Sequence, residues 1–148
     1  MKTCFFIGHR SAPESIFSRL EAAVERHISD YGVTDFVVGK YGAFDRMAAQ
    51  AVIHAKQRHP EATLTRLLAY YNFKSEPLPE GFDGSIFPEG LETVPRRAAI
   101  PRANLYMLRH CDYLIAYAPN RIGNAREFVA AARRIEGLRV ENIAESVR

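Results

Sequence analysis

The stretch Thr3-Cys4-Phe5-Phe6-Ile7-Gly8-His9-Arg10 decides the fold class. Its almost unbroken apolar run stops at a glycine and gives way to two polar side chains. That is the pattern of a strand buried on both faces of a parallel sheet, with a loop at its carboxyl end. Just downstream, Ser11-Ala12-Pro13-Glu14 has the spacing of a capping box with proline in the first turn. Ile16, Leu20, Ala23, Val24, His27 and Ile28 then recur at helical spacing, which predicts a helix to about Tyr31-Gly32. Thr34 to Val38 is rich in β-branched and aromatic residues and ends at Gly39, so a second strand completes a βαβ unit.

The same alternation continues outward. Met47, Ala48, Ala51, Val52 and Ala55 mark one face of a helix predicted from Phe44 to about His59, closed by Pro60, and a third strand is expected from Ala62 to Tyr70. Between Tyr71 and Pro101 stand five prolines, at 77, 79, 88, 95 and 101, with Gly81, Gly84 and Gly90. This predicts an irregular loop over about 71–101, of the length that serves as a lid, binding loop or partner surface, with a short edge strand near Ile86-Phe87. Helical spacing resumes over Arg102 to His110. A strand follows at Tyr113 to Ala118, then a helix at Asn124 to Glu136 with Phe128, Ala131, Ala132 and Ile135 inward, and a last strand at Leu138 to Ile143. The expectation is one α/β domain over residues 1–148: a Rossmann-like three-layer fold around a mostly parallel sheet of about five strands.

Composition agrees. At 148 residues the chain is long enough for one core and short for two, and 47% hydrophobic with 25% charged residues is a globular balance. No apolar run reaches the ~18–20 residues of a spanning helix, and the apolar start is too short for a signal peptide, so a cytoplasmic protein without membrane contact is expected. Cys4 and Cys111 lack zinc spacing and read as small buried hydrophobes, which excludes a disulfide framework and gives no metal site. His27, His54, His59 and His110 lack metal-ligand spacing too and read as structural or solvated. The net charge of +3 is modest, yet Arg96, Arg97, Arg102, Arg109, Arg121, Arg126, Arg133 and Arg134 crowd the last third. Arginines suit phosphate groups, although Arg133 and Arg134 read as a solvated helix face.

In open parallel sheets, ligands sit outside the carboxyl ends of the strands, near the point where strand order reverses. Four segments are expected there. Gly8 permits close backbone approach, with His9 and Arg10 beside it as hydrogen-bonding groups. In Gly39-Lys40-Tyr41-Gly42-Ala43-Phe44-Asp45, two glycines open a helix start to an anion, and Asp45 either meets the ligand or complements the helix dipole; Lys40 and Tyr41 are weaker candidates. Pro119-Asn120-Arg121-Ile122-Gly123-Asn124 is a second helix start, with Asn124 as ligand contact or simple cap. Arg102 and Asn104 complete the set, whereas Tyr106 and Met107 read as core. The chain lacks G-x-G-x-x-G after its first strand, a Walker A pattern and a G-x-S-x-G elbow, so conventional dinucleotide, ATP and triad-hydrolase chemistries lose their support and no cofactor is assigned.

Taken in order, these segments resemble the SLOG superfamily of Rossmann-like domains, which includes the DNA-processing protein A fold and the LOG phosphoribohydrolases, and look closest to its YpsA-like branch. The residues carrying the resemblance are Thr3 to Arg10, the Gly39, Gly42, Asp45, Ala48-Ala49 turn and helix, Asn104-Leu105-Tyr106-Met107, and Cys111-Asp112-Tyr113-Leu114-Ile115-Ala116. The resemblance implies a nucleotide or nucleotide-derived ligand, a homo-oligomer, and a role in sensing or nucleotide processing. The chain departs from the pattern at Ile122-Gly123-Asn124, where relatives carry Gly-Gly-Thr, and at Ala103-Asn104, with the arginine displaced to Arg102. Three readings follow in order. The first is a regulatory domain binding a nucleotide or other phosphate-bearing metabolite through Gly8, His9, Arg10, Gly39, Gly42, Asp45, Arg102, Asn104, Gly123 and Asn124. The second is an enzyme cleaving an N-glycosidic bond with Asp45 or Glu127. The third, nucleic-acid binding through the arginines, ranks last at a net charge of only +3.

Overall fold

Every second residue of the first strand faces a different helical layer, and this alternation organises the molecule. In a computed structural model of the chain, which describes residues 2–70 and 76–145, strand β1 (Lys2–Gly8) leads through a 3-10 turn (Glu14–Ile16) into helix α1 (Phe17–Ser29). Strand β2 (Val33–Val38), helix α2 (Ala43–Arg58), strand β3 (Thr63–Leu67) and a short strand β4 (Gly84–Ile86) follow. Another 3-10 turn (Leu91–Thr93) precedes helix α3 (Arg96–His110), strand β5 (Tyr113–Tyr117), helix α4 (Asn124–Arg133) and strand β6 (Arg139–Asn142).

The six strands are all parallel and lie in the order β4-β3-β2-β1-β5-β6. The chain thus builds outward from β1 to β4, then crosses back to place β5 against β1, with Phe5 opposite Leu114 and Gly8 opposite Tyr117. Cys4 and Phe6 point into one core with Leu20 and Val24 of α1 and Phe44, Ala48 and Val52 of α2. Phe5 and Ile7 point into the other, with Ala99, Ala103 and Met107 of α3 and Val129 and Ala132 of α4. This is the Rossmann-like α/β sandwich expected, with six strands rather than about five because the short edge strand forms.

Three local expectations are corrected. Ser11 makes no capping bond: its amide donates to His9 Nδ1 at 3.2 Å, and the chain enters α1 through the 3-10 turn with no side-chain cap. Asn124 is the first residue of α4 rather than its cap, a position taken by Gly123 at φ +122°. The irregular stretch ends at Pro95, so α3 begins six residues before Arg102 and carries Pro101 in its second turn. Proline there removes one helical hydrogen bond, but Ala99, Ala103 and Met107, at spacings of four, bury one continuous face, and that packing outweighs the loss. Residues 71–75 of the predicted loop lie outside the described residues.

Polar groups at the amino ends of the strands fix the sheet rather than a ligand. The Thr3 amide donates to Asp112 Oδ2 at 2.9 Å, while Asp112 N donates to Thr3 O and its own carbonyl accepts from Arg139 N. Asp83 Oδ2 likewise accepts from Leu64 N and from Lys56 Nζ, which holds β4 against β3.

The carboxyl end of β1 is closed by a contact that tolerates no side chain. A Cβ on Gly8 would stand 2.2 Å from Cγ of the buried Phe44 ring. Gly8→Ala is therefore expected to cost about 3 kcal/mol, the upper part of the overpacking range. Gly137→Ala, at φ +88° but in open space, should cost only roughly 1 kcal/mol. Urea midpoints at unchanged m-value read both out, and equal losses would show that Phe44 yields freely.

Candidate functional site

Helix α2 approaches β1 so closely that the loops after β1 and β2 share a wall. Gly42, the N-cap of α2, sits at φ +107°, and a Cβ there would come within 2.7 Å of Arg10 Cα. Arg10 O accepts from Ala43 N at 2.8 Å, which joins the two loops through their main chains. His9 N donates to Tyr117 O at 3.1 Å and ties the first loop to the end of β5 as well. The loops after β1, β2 and β5 therefore meet at the carboxyl edge, as the strand order requires.

Beneath α3 at this edge lies a cavity of ≈ 80 Å³ lined by Gly8, Gly39, Tyr41, Asp45 and Asn104 over the apolar side chains of β1, β3 and α3. Asp45 is its one acid. Its Oδ2 accepts from Tyr41 N at 2.9 Å, and a Cβ on Gly39 would stand 3.0 Å from the same oxygen, so glycine leaves the carboxyl room. Burial pushes the Asp45 pKa up to about 6, opposed by the Tyr41 amide and by the positive charge of Arg66. Tyr41 lines the same cavity, with a phenol pushed up to about 12, first by burial and then by Tyr70, against the pull of Arg96 and Arg66. The Tyr41 hydroxyl is buried and has no hydrogen-bond partner among the described residues. A buried unpaired hydroxyl costs roughly 1–3 kcal/mol, which marks this corner as one where stability is given up.

The structure gathers some of the expected residues and disperses others. Gly8, Gly39, Asp45 and Asn104 line the cavity together. Gly42 and the backbone of Arg10 pack on each other at the start of α2, outside the lining residues, and the Arg10 side chain is exposed and His9 partly so. Arg102 is exposed on α3, one residue from the inward-facing Ala103, and is not among the lining side chains. Gly123, Asn124 and Glu127 are exposed at the start of α4 and do not line the cavity either. The loop before α4 is fixed by bonds of its own. Arg126 donates to Ala118 O and Asn120 O, both at 2.8 Å, and the buried Asn142 side chain bonds Ala118 N and O. At the start of α2, the amides of Tyr41 and Ala43 are engaged within the chain.

The arginines of the last third separate in the same way. Arg126 and Arg133 both pair with Glu145, and Arg96 covers the Tyr70 ring at 4.3 Å. The histidines are accounted for by protein partners: His27 bonds Ala23 O, His54 meets Glu21, His59 meets Glu25 and His110 bonds Tyr106 O. No group of metal-binding side chains occurs among the described residues, and no described helix is long and apolar enough to cross a membrane. Two lining features escaped the sequence reading. Ile100 reaches the cavity from the part of α3 that precedes Pro101, and Leu67, Ala69 and Ala103 carry no polar signal at all. No protein-family model matches the chain, and comparison with curated proteins gives no match.

Because the pKa of Asp45 is raised in the folded state, ionising it there costs on the order of 3 kcal/mol relative to water. The penalty is absent below about pH 4, where folded and unfolded forms are both protonated, and grows as the pH rises to about 6. Asp45→Asn keeps an acceptor for Tyr41 N and removes the charge. It is expected to be more stable than the parent by roughly 2–3 kcal/mol above neutrality, with the advantage vanishing near pH 4. His27, whose pKa burial lowers, acts in the opposite sense and cancels in the comparison. Denaturant titrations across pH test this, and a pH-independent difference would count against it. Tyr41→Phe should leave stability unchanged or raise it, since it deletes an unpaired hydroxyl.

Proposed function

We propose that this chain is a binding domain for a nucleotide or nucleotide-derived ligand, with a sensing or regulatory role. The observation that carries the reading is the cavity at the carboxyl ends of β1, β2 and β3, where Asp45 and Asn104 converge on apolar walls beside Gly8 and Gly39. Such a site, mostly apolar with a few placed polar groups, is the usual form of a small-molecule pocket. A carboxyl as its one acid suits a partner that donates hydrogen bonds, as sugar hydroxyls do. In this reading the ribose enters the cavity, and the phosphate stays at the mouth near the exposed Arg10 rather than against Asp45.

A second reading is favoured by the pKa of Asp45. A carboxyl that titrates at about 6 is protonated for part of the time near neutrality, the property needed to donate a proton to a leaving base in N-glycosidic cleavage. Between the two candidate acids, Asp45 lines the cavity and Glu127 is exposed on α4, so the reading rests on Asp45. The resemblance to the SLOG superfamily supports both readings and adds a homo-oligomer. Nucleic-acid binding has less behind it, because Arg96, Arg126 and Arg133 are engaged in separate places.

Thermal-shift titration with nucleoside monophosphates, ADP-ribose and ribose 5-phosphate tests the binding reading, and chromatography of the same mixtures tests cleavage. A saturable rise in Tm is expected with at least one of them, weakened at least tenfold in Kd by Asn104→Ala. Release of free base that stops in Asp45→Asn would decide for the enzyme. No shift with any of these compounds would sink both readings.

A further inference from the structure

The cavity at Asp45 is too small for the ligand proposed. Its ≈ 80 Å³ holds one polar fragment, well short of the roughly 300 Å³ at the small end of ligand pockets. Beside it is a second recess of ≈ 310 Å³, lined by Ala69, Tyr70, Leu91, Glu92, Val94, Arg96 and Ala99. The two are neighbours by three observations. Ala69 lines both, Ala99 of the recess precedes Ile100 of the cavity on α3, and the Tyr41 ring of the cavity meets the Tyr70 ring of the recess edge to face at 6.3 Å. Together they reach the size of a ligand pocket.

The chemistry of the recess differs from that of the cavity. Leu91 and Ala99 are buried and Val94 is partly so, which gives an apolar floor. Beside it the Arg96 guanidinium lies over the Tyr70 ring at 4.3 Å, and the arginine is exposed to solvent. Guanidinium planes and aromatic rings are surfaces on which planar bases stack. Glu92 and Arg96 at the rim supply an acceptor and donors for the edge of such a ring. Leu91, Glu92, Val94, Arg96 and Ala99 fall in the 71–101 stretch whose length suits a lid, binding loop or partner surface, outside the four segments expected at the carboxyl edge.

We infer that the recess walled by Tyr70 and Arg96 is the base-binding half of a two-part site, which takes a planar nitrogen heterocycle while the Asp45 cavity takes the sugar attached to it. The inference rests on the nucleotide reading and adds where the ring goes and which residues select it. Stacking on the Tyr70–Arg96 pair contributes affinity that a sugar phosphate without a base cannot gain. Base–aromatic stacking is worth roughly 1–3 kcal/mol per base, which corresponds to about 5- to 150-fold in Kd.

The test is calorimetric titration of the full chain with AMP, GMP, CMP, UMP and ribose 5-phosphate. At least one nucleotide is expected to bind at least tenfold more tightly than ribose 5-phosphate, and Arg96→Ala should remove most of that advantage while changing ribose 5-phosphate affinity less than twofold. Tyr70→Ala should act in the same direction. Arg96 and Glu92 are exposed, so Arg96→Ala and Glu92→Ala keep the test available if Tyr70→Ala does not fold. Nucleotides and ribose 5-phosphate binding equally, or Arg96→Ala weakening both to the same extent, overturns the two-part site and leaves the Asp45 cavity reading standing. Failure of all five compounds to bind overturns both.

Discussion

The carboxyl end of β1 works because helix α2 lies directly on it. The Phe44 ring occupies the space where a side chain at position 8 would be, and Gly42 packs against the Arg10 backbone in a conformation that favours glycine. These contacts bring the loops after β1 and β2 together and place the start of α2, with Asp45, at the edge of the sheet. Any side chain at either glycine would push α2 outward. The cavity, the burial of Asp45 and the bond from Tyr41 N to its carboxyl all depend on that spacing.

Many polar groups away from this edge have protein partners, although Thr34 Oγ1 and Arg66 Nε are, like the Tyr41 hydroxyl, buried without a hydrogen-bond partner among the described residues. Asp112 and Asp83 bond main-chain amides, Asn142 bonds both the amide and carbonyl of Ala118, and Glu25 meets Arg58, His59 and Ser29. Against this background a desolvated carboxyl at Asp45 and an unpaired phenol at Tyr41 stand out as neighbours in one cavity. Perturbed groups concentrate where a protein binds or reacts, although structural networks perturb them too. Among the described residues no salt bridge accounts for Asp45. Its environment is a pocket wall rather than an ion-pair network.

The Arg126 arrangement shows how a residue type misleads when read by class. In the sequence it belongs to a row of arginines suited to phosphate, yet its guanidinium holds the Pro119–Gly123 loop by two carbonyls and a carboxylate. Arg96 lies in the same row and does something else, since Tyr70 gives it an aromatic face to cover. What separates them is which acceptors and rings the fold brings near, and charge patterning along a chain carries no information on that.

The sequence by itself determined the layered architecture, because alternating burial along strands and helical repeats on α1 and α2 are local consequences of the two backbone periods. It also pointed to Gly8, Gly39 and Asp45, since residues just past a buried strand emerge at the carboxyl edge wherever the sheet is parallel. Asn104 was legible as a polar residue on a helix, without the fact that it faces inward. The early start of α3, with Pro101 inside, was decided by burial of Ala99, Ala103 and Met107, which outweighs a lost hydrogen bond that local propensity counts in full. Only the tertiary structure separated Asp45 from Glu127, and Asn104 from Arg102 and Asn124. Each is a polar residue on or beside a helix, and what distinguishes them is whether the sheet edge lies within reach, a relation between residues far apart in the chain.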